Sequence, residues 1–130
     1  MNEPLLVDTS VWIDFFNGNE TAHVQVFTKY LKNDFPLFTC PIIIQEILQG
    51  IKSDKQYKQV KDYLFALNVL NDDAIEAALG AVKIYRELRE KGITIRKSND
   101  CLIAFYAIKY ALKILHNDRD FDHILENYTG

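Results

Sequence analysis

The sequence predicts an α/β fold in which a parallel sheet of short strands is covered by helices on both faces. Three observations lead there. Short apolar runs recur at Leu5–Val7, Leu37–Thr39, Val69–Leu70 and Lys113–His116, each too brief for a helix and apolar as a strand buried on both faces would be. Longer stretches with helical spacing of apolar residues separate them. No internal repeat and no Pro/Gly/Ser-rich linker interrupts the 130 residues, so the chain is expected to form one domain, 1–130.

The elements follow in order. After Leu5–Val7 come Asp8, Thr9 and Ser10, then a helix carrying Val11, Trp12, Ile13, Phe15 and Phe16 that stops near Gly18. Residues 20–33 are predicted helical, with Val24, Phe27, Tyr30 and Leu31 on one side. Leu37–Thr39 is the second strand, and Pro41 suits the first turn of the next helix, where its missing N–H is no loss. That helix places Ile43, Ile44, Ile47, Leu48 and Ile51 at helical spacing with Glu46 among them. Residues 55–67 form a further helix, and Val69–Leu70 the third strand. In the helix over 73–90, Ile75, Ala78, Leu79, Val82, Tyr85 and Leu88 are read as the core-facing stripe, with Gly92 just past its end. Ser98 or Asn99 is expected to cap a helix reaching Tyr110. Lys113–His116 is the last strand, and a short helix over 119–126 closes the chain.

Composition limits the class. Hydrophobic residues make up 48% and charged residues 25%, as in globular rather than disordered chains. No apolar run approaches the ~20 residues of a membrane helix, and MNEPLLVDTS has no basic region that a signal peptide would need. Cys40 and Cys101 lie far apart in apolar surroundings, which reads as two reduced core thiols of a cytoplasmic protein. The net charge of −3 argues against non-specific adhesion to nucleic acid. The cations are nevertheless grouped: Lys52, Lys55, Lys58 and Lys61 in one set, and Lys83, Arg86, Arg89, Lys91, Arg96 and Lys97 in another. Both sets fit solvated helix faces, and both fit a phosphate-binding rim around an acidic centre.

The acids sit at the predicted carboxyl ends of strands. Asp8 follows the first strand and Asp118 the last. In a parallel sheet both then lie on one edge, where ligands of open α/β sheets bind. Asp100 falls in the first turn of a helix whose N-terminus points to that edge, and Glu46 lies one turn into another. Singly, each has a plainer explanation: Asp8 as a helix N-cap, Asp100 as a first-turn acid favoured by the helix dipole, Glu46 as a solvated residue, and Asp118 as an Asx turn or cap. Asp120 and Asp122 read as solvated or capping residues. The joint placement is the argument. Two carboxylates ~4 Å apart repel by about 4 kcal/mol at an effective dielectric near 20, so a convergent quartet calls for a cation. An all-oxygen set suits Mg²⁺ or Mn²⁺, which can polarise a phosphodiester, activate water and stabilise the leaving oxygen.

The blocks LLVDTSVWIDFF, CPIIIQEILQGI, SNDCLIAFYAI and ILHNDRDFDHI together resemble the PIN-domain family, in particular its VapC-type toxin ribonucleases. The resemblance runs over essentially the whole chain. It implies a three-layer α/β/α sandwich with a central parallel sheet of four to five short strands. It also implies Mg²⁺-dependent endoribonuclease activity in which Mn²⁺ substitutes for Mg²⁺. By position, Asp8, Glu46, Asp100 and Asp118 match the family's acidic quartet. Asp8 and Asp100 would be the principal metal ligands, and Glu46 would act through the metal or its water. Asp120 rivals Asp118 for the fourth place. Ser10 or Thr9 matches a hydroxyl after the first acid, and Asn99 the polar residue before the third. Each of these three equally fits a plain helix cap. The resemblance further implies an RNA substrate, a cognate antitoxin that covers the active-site groove and a homodimer. Aromatic residues such as Trp12, Phe15, Phe16, Phe27 and Tyr30 serve either a core or an interface.

Three rival readings remain at this level. One is a nuclease of the same fold that acts in RNA maturation or on DNA without an antitoxin. Another is an inactive PIN-like module that only binds a partner. The third, a phosphoacceptor of the receiver type, expects paired acids after the first strand, where this chain has Asp8 alone. Of the candidate general bases His23, His116 and His123, the first and last read as surface residues. Only His116 adjoins the acids, and a metal-assisted reaction needs no histidine.

Overall fold

A computed structural model describes residues 2–130. Among them are four strands, β1 (Leu5–Val7), β2 (Leu37–Thr39), β3 (Asn68–Val69) and β4 (Lys113–Leu115). Seven helices accompany them: α1 (Thr9–Phe16), α2 (Ala22–Lys32), α3 (Pro41–Gln49), α4 (Asp54–Ala66), α5 (Ala74–Glu90), α6 (Ser98–Lys109) and α7 (Arg119–Asn127). The strands form one parallel sheet in the order β3-β2-β1-β4, with Leu6 opposite both Phe38 and Ile114. This is a three-layer α/β/α fold, as expected. Right-handed crossovers that run outward from β1 to β3 and then return to β4 place their helices on opposite faces of the sheet. The order also puts a topological switch between β1 and β4, and a crevice at their carboxyl ends is where such sheets bind ligands.

Core packing follows from sequence. Leu6 and Val7 have no exposed surface, as expected of a central strand. Trp12 and Phe27 meet edge-to-face at 4.8 Å, and Phe15 joins Phe27 at 5.2 Å. Trp12, Phe27 and Tyr30 are therefore core, while Phe15 and Phe16 are half-buried against it. Cys40 and Cys101 are buried and free, and burial pushes their thiols up to about 12 and about 11. Neither supplies a thiolate nucleophile at neutral pH. Among the described residues no helix is long and apolar enough to cross a membrane.

Two expectations fail. The buried side of α5 is Ala77, Ile84 and Leu88, with Ala81 and Tyr85 partly buried beside them. Ile75 and Leu79 are about two-thirds exposed, at 68% and 65%, and Val82 is exposed too. The helix carries two apolar stripes, and small residues let α5 pack closely on α6. Gly80 is the closest approach: a Cβ there would overlap the Phe105 ring. The second failure is the cap of α6. The N-cap is Lys97, with no side-chain cap bond, and both Ser98 and Asn99 lie inside the first turn. Smaller shifts move the third strand to Asn68–Val69 and expose Leu31 at the edge of its helix's buried side.

Gly80→Ala is expected to lose stability. Helix propensity favours Ala by about 1 kcal/mol, but overpacking against an aromatic ring costs about 1–3 kcal/mol. The net loss, about 0–2 kcal/mol by these figures, is read from the urea midpoint. A midpoint at or above that of the unsubstituted protein would show that the α5–α6 contact yields easily.

Candidate active site

The acids reach one sheet edge by short, locally determined routes. Asp8 follows β1 directly, and its N–H donates to the Leu115 carbonyl at 2.9 Å, which ties the ends of β1 and β4 together. Its extended backbone makes it the N-cap of α1. One carboxylate oxygen accepts from the Ser10 N–H at 3.1 Å and the Ser10 hydroxyl at 2.6 Å. Ser10 Oγ in turn accepts the N–H of Asn117 at 3.1 Å, bracing the loop after β4. The cap and the site residue are thus the same side chain: Asp8 has a second oxygen free of these bonds. Asp118 repeats the pattern after β4. It caps α7 through the Asp120 N–H at 3.0 Å.

Glu46 is held at both ends of its carboxylate. Thr9 Oγ1 donates to Oε1 at 2.8 Å, and Asn99 Nδ2 reaches Oε2 at 3.5 Å. These two bonds join α1, α3 and α6 across the site. Both Thr9 and Ser10 are therefore engaged, on different acids.

Asp100 is the electrostatic centre. It is 5% exposed, and its Oδ2 has no hydrogen-bond partner. Burial, followed by the charges of Asp8 and Asp118, raises its pKa to about 7. Oxygens of Asp100, Asp118 and Asp120 come within 4.8 Å of one another. Asp120, read from sequence as a solvated or capping residue, is 7% exposed and stands in this group beside Asp118. Asp122 is the exposed one and pairs with His116 Nε2 at 3.2 Å.

A buried carboxylate with a raised pKa and an unbonded oxygen, grouped with two further acids, is a chemistry that a bound cation would satisfy. The donors are all oxygen, which selects a hard divalent cation. His116 has both ring nitrogens engaged. Its Nδ1 accepts the Asp118 N–H at 3.2 Å while its Nε2 is taken by Asp122, so it braces the loop after β4. His23, read as a surface residue, is half-buried and stacks on His116 at 6.2 Å.

Sequence reasoning named Arg96 only as one member of a cation set that fits a phosphate-binding rim, and did not single it out. No periodic signal marks it within that group of six. In the fold its Nε donates to Asp120 at 3.1 Å and its Nη2 to Asp118 at 3.2 Å. Lys97 Nζ lies 3.8 Å from Asp118. Beside Glu46 opens a cavity of about 510 Å³ lined by Ile13, Phe16, Ile47, Ile51, Lys52 and Gln56.

Comparison with known proteins adds to this geometry. The family described as PIN domain matches residues 5–126. Ribonuclease VapC11 of Mycobacterium tuberculosis is 38% identical over 122 residues, covering 92% of this chain and 90% of that protein. Among solved structures, DNA-bound VapBC from Salmonella typhimurium aligns with a TM-score of 0.72 at 25% identity, over 94% of this chain and 92% of that one. A toxin–antitoxin complex from Klebsiella pneumoniae aligns with a TM-score of 0.66 at 20% identity, over 88% and 87%, a likeness of fold.

Proposed function

We propose that this chain, which belongs to the PIN-domain family, is an endoribonuclease that acts as the toxin of a toxin–antitoxin pair. The observation that carries the chemistry is Asp100, buried with an unbonded oxygen in one cluster with Asp118 and Asp120. In this reading Asp8, Asp100 and Asp118 hold the cation, and Asp120 joins them. Mg²⁺ is the expected ion and Mn²⁺ its substitute. Bound there, the ion supplies charge neutralisation at the phosphate oxygens and a lowered pKa for water. Glu46, fixed by Thr9 and Asn99, orients the attacking water by accepting its hydrogen bond. Ser10 keeps Asp8 in place. No side chain acts as a covalent nucleophile.

The partner is a cognate antitoxin. The cavity has an apolar floor and Glu46 in its wall, so a segment seated there would cover that acid. RNA rather than DNA is the proposed substrate. Its test is cleavage of a mixed RNA pool beside single- and double-stranded DNA of matched sequence, with and without co-expressed antitoxin. Cleavage of DNA alone, or activity that the antitoxin leaves untouched, would favour the antitoxin-free nuclease instead.

The exposed stripe Ile75, Leu79 and Val82 on α5 is proposed as the face that a second copy covers. Leu79→Asp places a charge in that contact and is expected to give a folded monomer by sedimentation, where the unsubstituted protein is a dimer. An unchanged sedimentation coefficient would remove this face from the assembly.

A further inference from the structure

We infer that Arg96 is a phosphate-binding residue that grips the RNA backbone next to the acidic site, an inference that rests on the ribonuclease reading above. A guanidinium carries five N–H donors. Two of Arg96's are spent on Asp118 and Asp120, at 3.2 and 3.1 Å. The carboxylates are nearly buried, with side chains 13% and 10% exposed, whereas that of Arg96 is 68% exposed. Its remaining donors therefore face solvent from a head fixed by two acids. Lys97, 65% exposed, adds a second cation at the same place.

Pairing with two nearly buried acids offsets their mutual repulsion, but it uses only one edge of a guanidinium that is itself largely exposed. A fork already oriented by carboxylates suits an anion that approaches a negatively charged centre. The acids alone repel a polyanion; Arg96 and Lys97 are cations that pair with them directly. Planar, forked donors match phosphate oxygens, and Lys lacks that geometry. Arg96 thus holds a backbone phosphate while the acids serve the scissile one. It is a binding residue for the proposed reaction, not a metal ligand.

The test measures binding of a fluorescein-labelled single-stranded RNA of mixed sequence by anisotropy. It is run in EDTA across a series of KCl concentrations, and Mn²⁺ binding to the RNA-free protein is measured by calorimetry. Arg96→Gln is expected to weaken RNA binding about tenfold and to reduce the salt slope by about 0.7, the value for one phosphate contact on single-stranded nucleic acid. Arg96→Lys is expected to keep the slope and recover part of the affinity. In Mg²⁺, the Gln variant is expected to raise KM more than it lowers kcat, with Mn²⁺ still bound. A salt slope equal to that of the unsubstituted protein, with RNA cleavage intact in the latter, would overturn the role of Arg96 and leave the nuclease standing. Lost Mn²⁺ binding with an unchanged slope would mark Arg96 as a brace for the acids and overturn it equally. Failure of the unsubstituted protein to bind or cleave any RNA would overturn the underlying reading as well.

Discussion

Asp100→Asn is expected to lower RNA cleavage by about 100-fold or more, the scale of losing one electrostatic partner of a developing charge, while raising the melting temperature of the metal-free protein at pH 8. The two effects have one cause. Asp100 is buried beside Asp8 and Asp118 with an oxygen that no donor satisfies, and its pKa rises to about 7. Because the folded-state value lies above the ordinary 3.8, the fold favours the protonated carboxyl. That contribution is complete below about pH 4 and is lost as pH rises through about 7. Above pH 7 the metal-free fold carries an ionised acid next to other acids. Asparagine removes that repulsion at nearly the same shape, so the variant's advantage is greatest at pH 8 and fades toward pH 4. Thermal melts in EDTA at both pH values, beside a cleavage assay, test both halves. A variant that cleaves RNA normally, or one that melts lower at pH 8, would show that Asp100 is a structural acid.

Mn²⁺ affinity is expected to fall by about tenfold or more between pH 7.5 and pH 5.5, because the cation and a proton compete for Asp100. With a pKa of about 7, the carboxylate is mostly ionised at the upper pH and mostly protonated at the lower. Calorimetry in two buffers of different ionisation enthalpy reads the released proton directly. In Asp100→Asn the pH dependence over this range should flatten along with the affinity. Binding of undiminished strength at pH 5.5 would mean that the ion sits elsewhere among the acids.

How much of this was legible beforehand depends on range. Strand ends and helix starts are local signals, so the order of elements, Asp8 after β1, Asp118 after β4 and Asp100 in the first turn of α6 could all be read from spacing. The choice between the two apolar stripes of α5 could not. Ile75, Leu79 and Val82 look more like a core than Ala77 and Ala81 do. Only the close approach of α5 to α6, with Gly80 against Phe105, selects the smaller residues. Capping residues misled in a related way. Ser98 and Asn99 both suit an N-cap, yet the helix begins one residue earlier, and Asn99 turns instead to Glu46. Asp120 fits a solvated first turn by sequence, and its burial depends on how α7 docks. Arg96 meets Asp118 and Asp120 across more than twenty residues of chain, and no pattern of charges along a sequence encodes such a contact.

The most direct test of the central claim is cleavage of a mixed RNA pool by the purified protein in Mg²⁺, in Mn²⁺ and in EDTA, beside Asp8→Asn. Asparagine can still cap α1 through its side-chain oxygen, so the variant should fold. The predicted result is cleavage in both metals, none in EDTA, and none by the folded variant. Cleavage that survives EDTA or the Asp8→Asn change, or no cleavage in either metal by folded protein free of antitoxin, would contradict the assignment of these acids as the site of a metal-dependent ribonuclease.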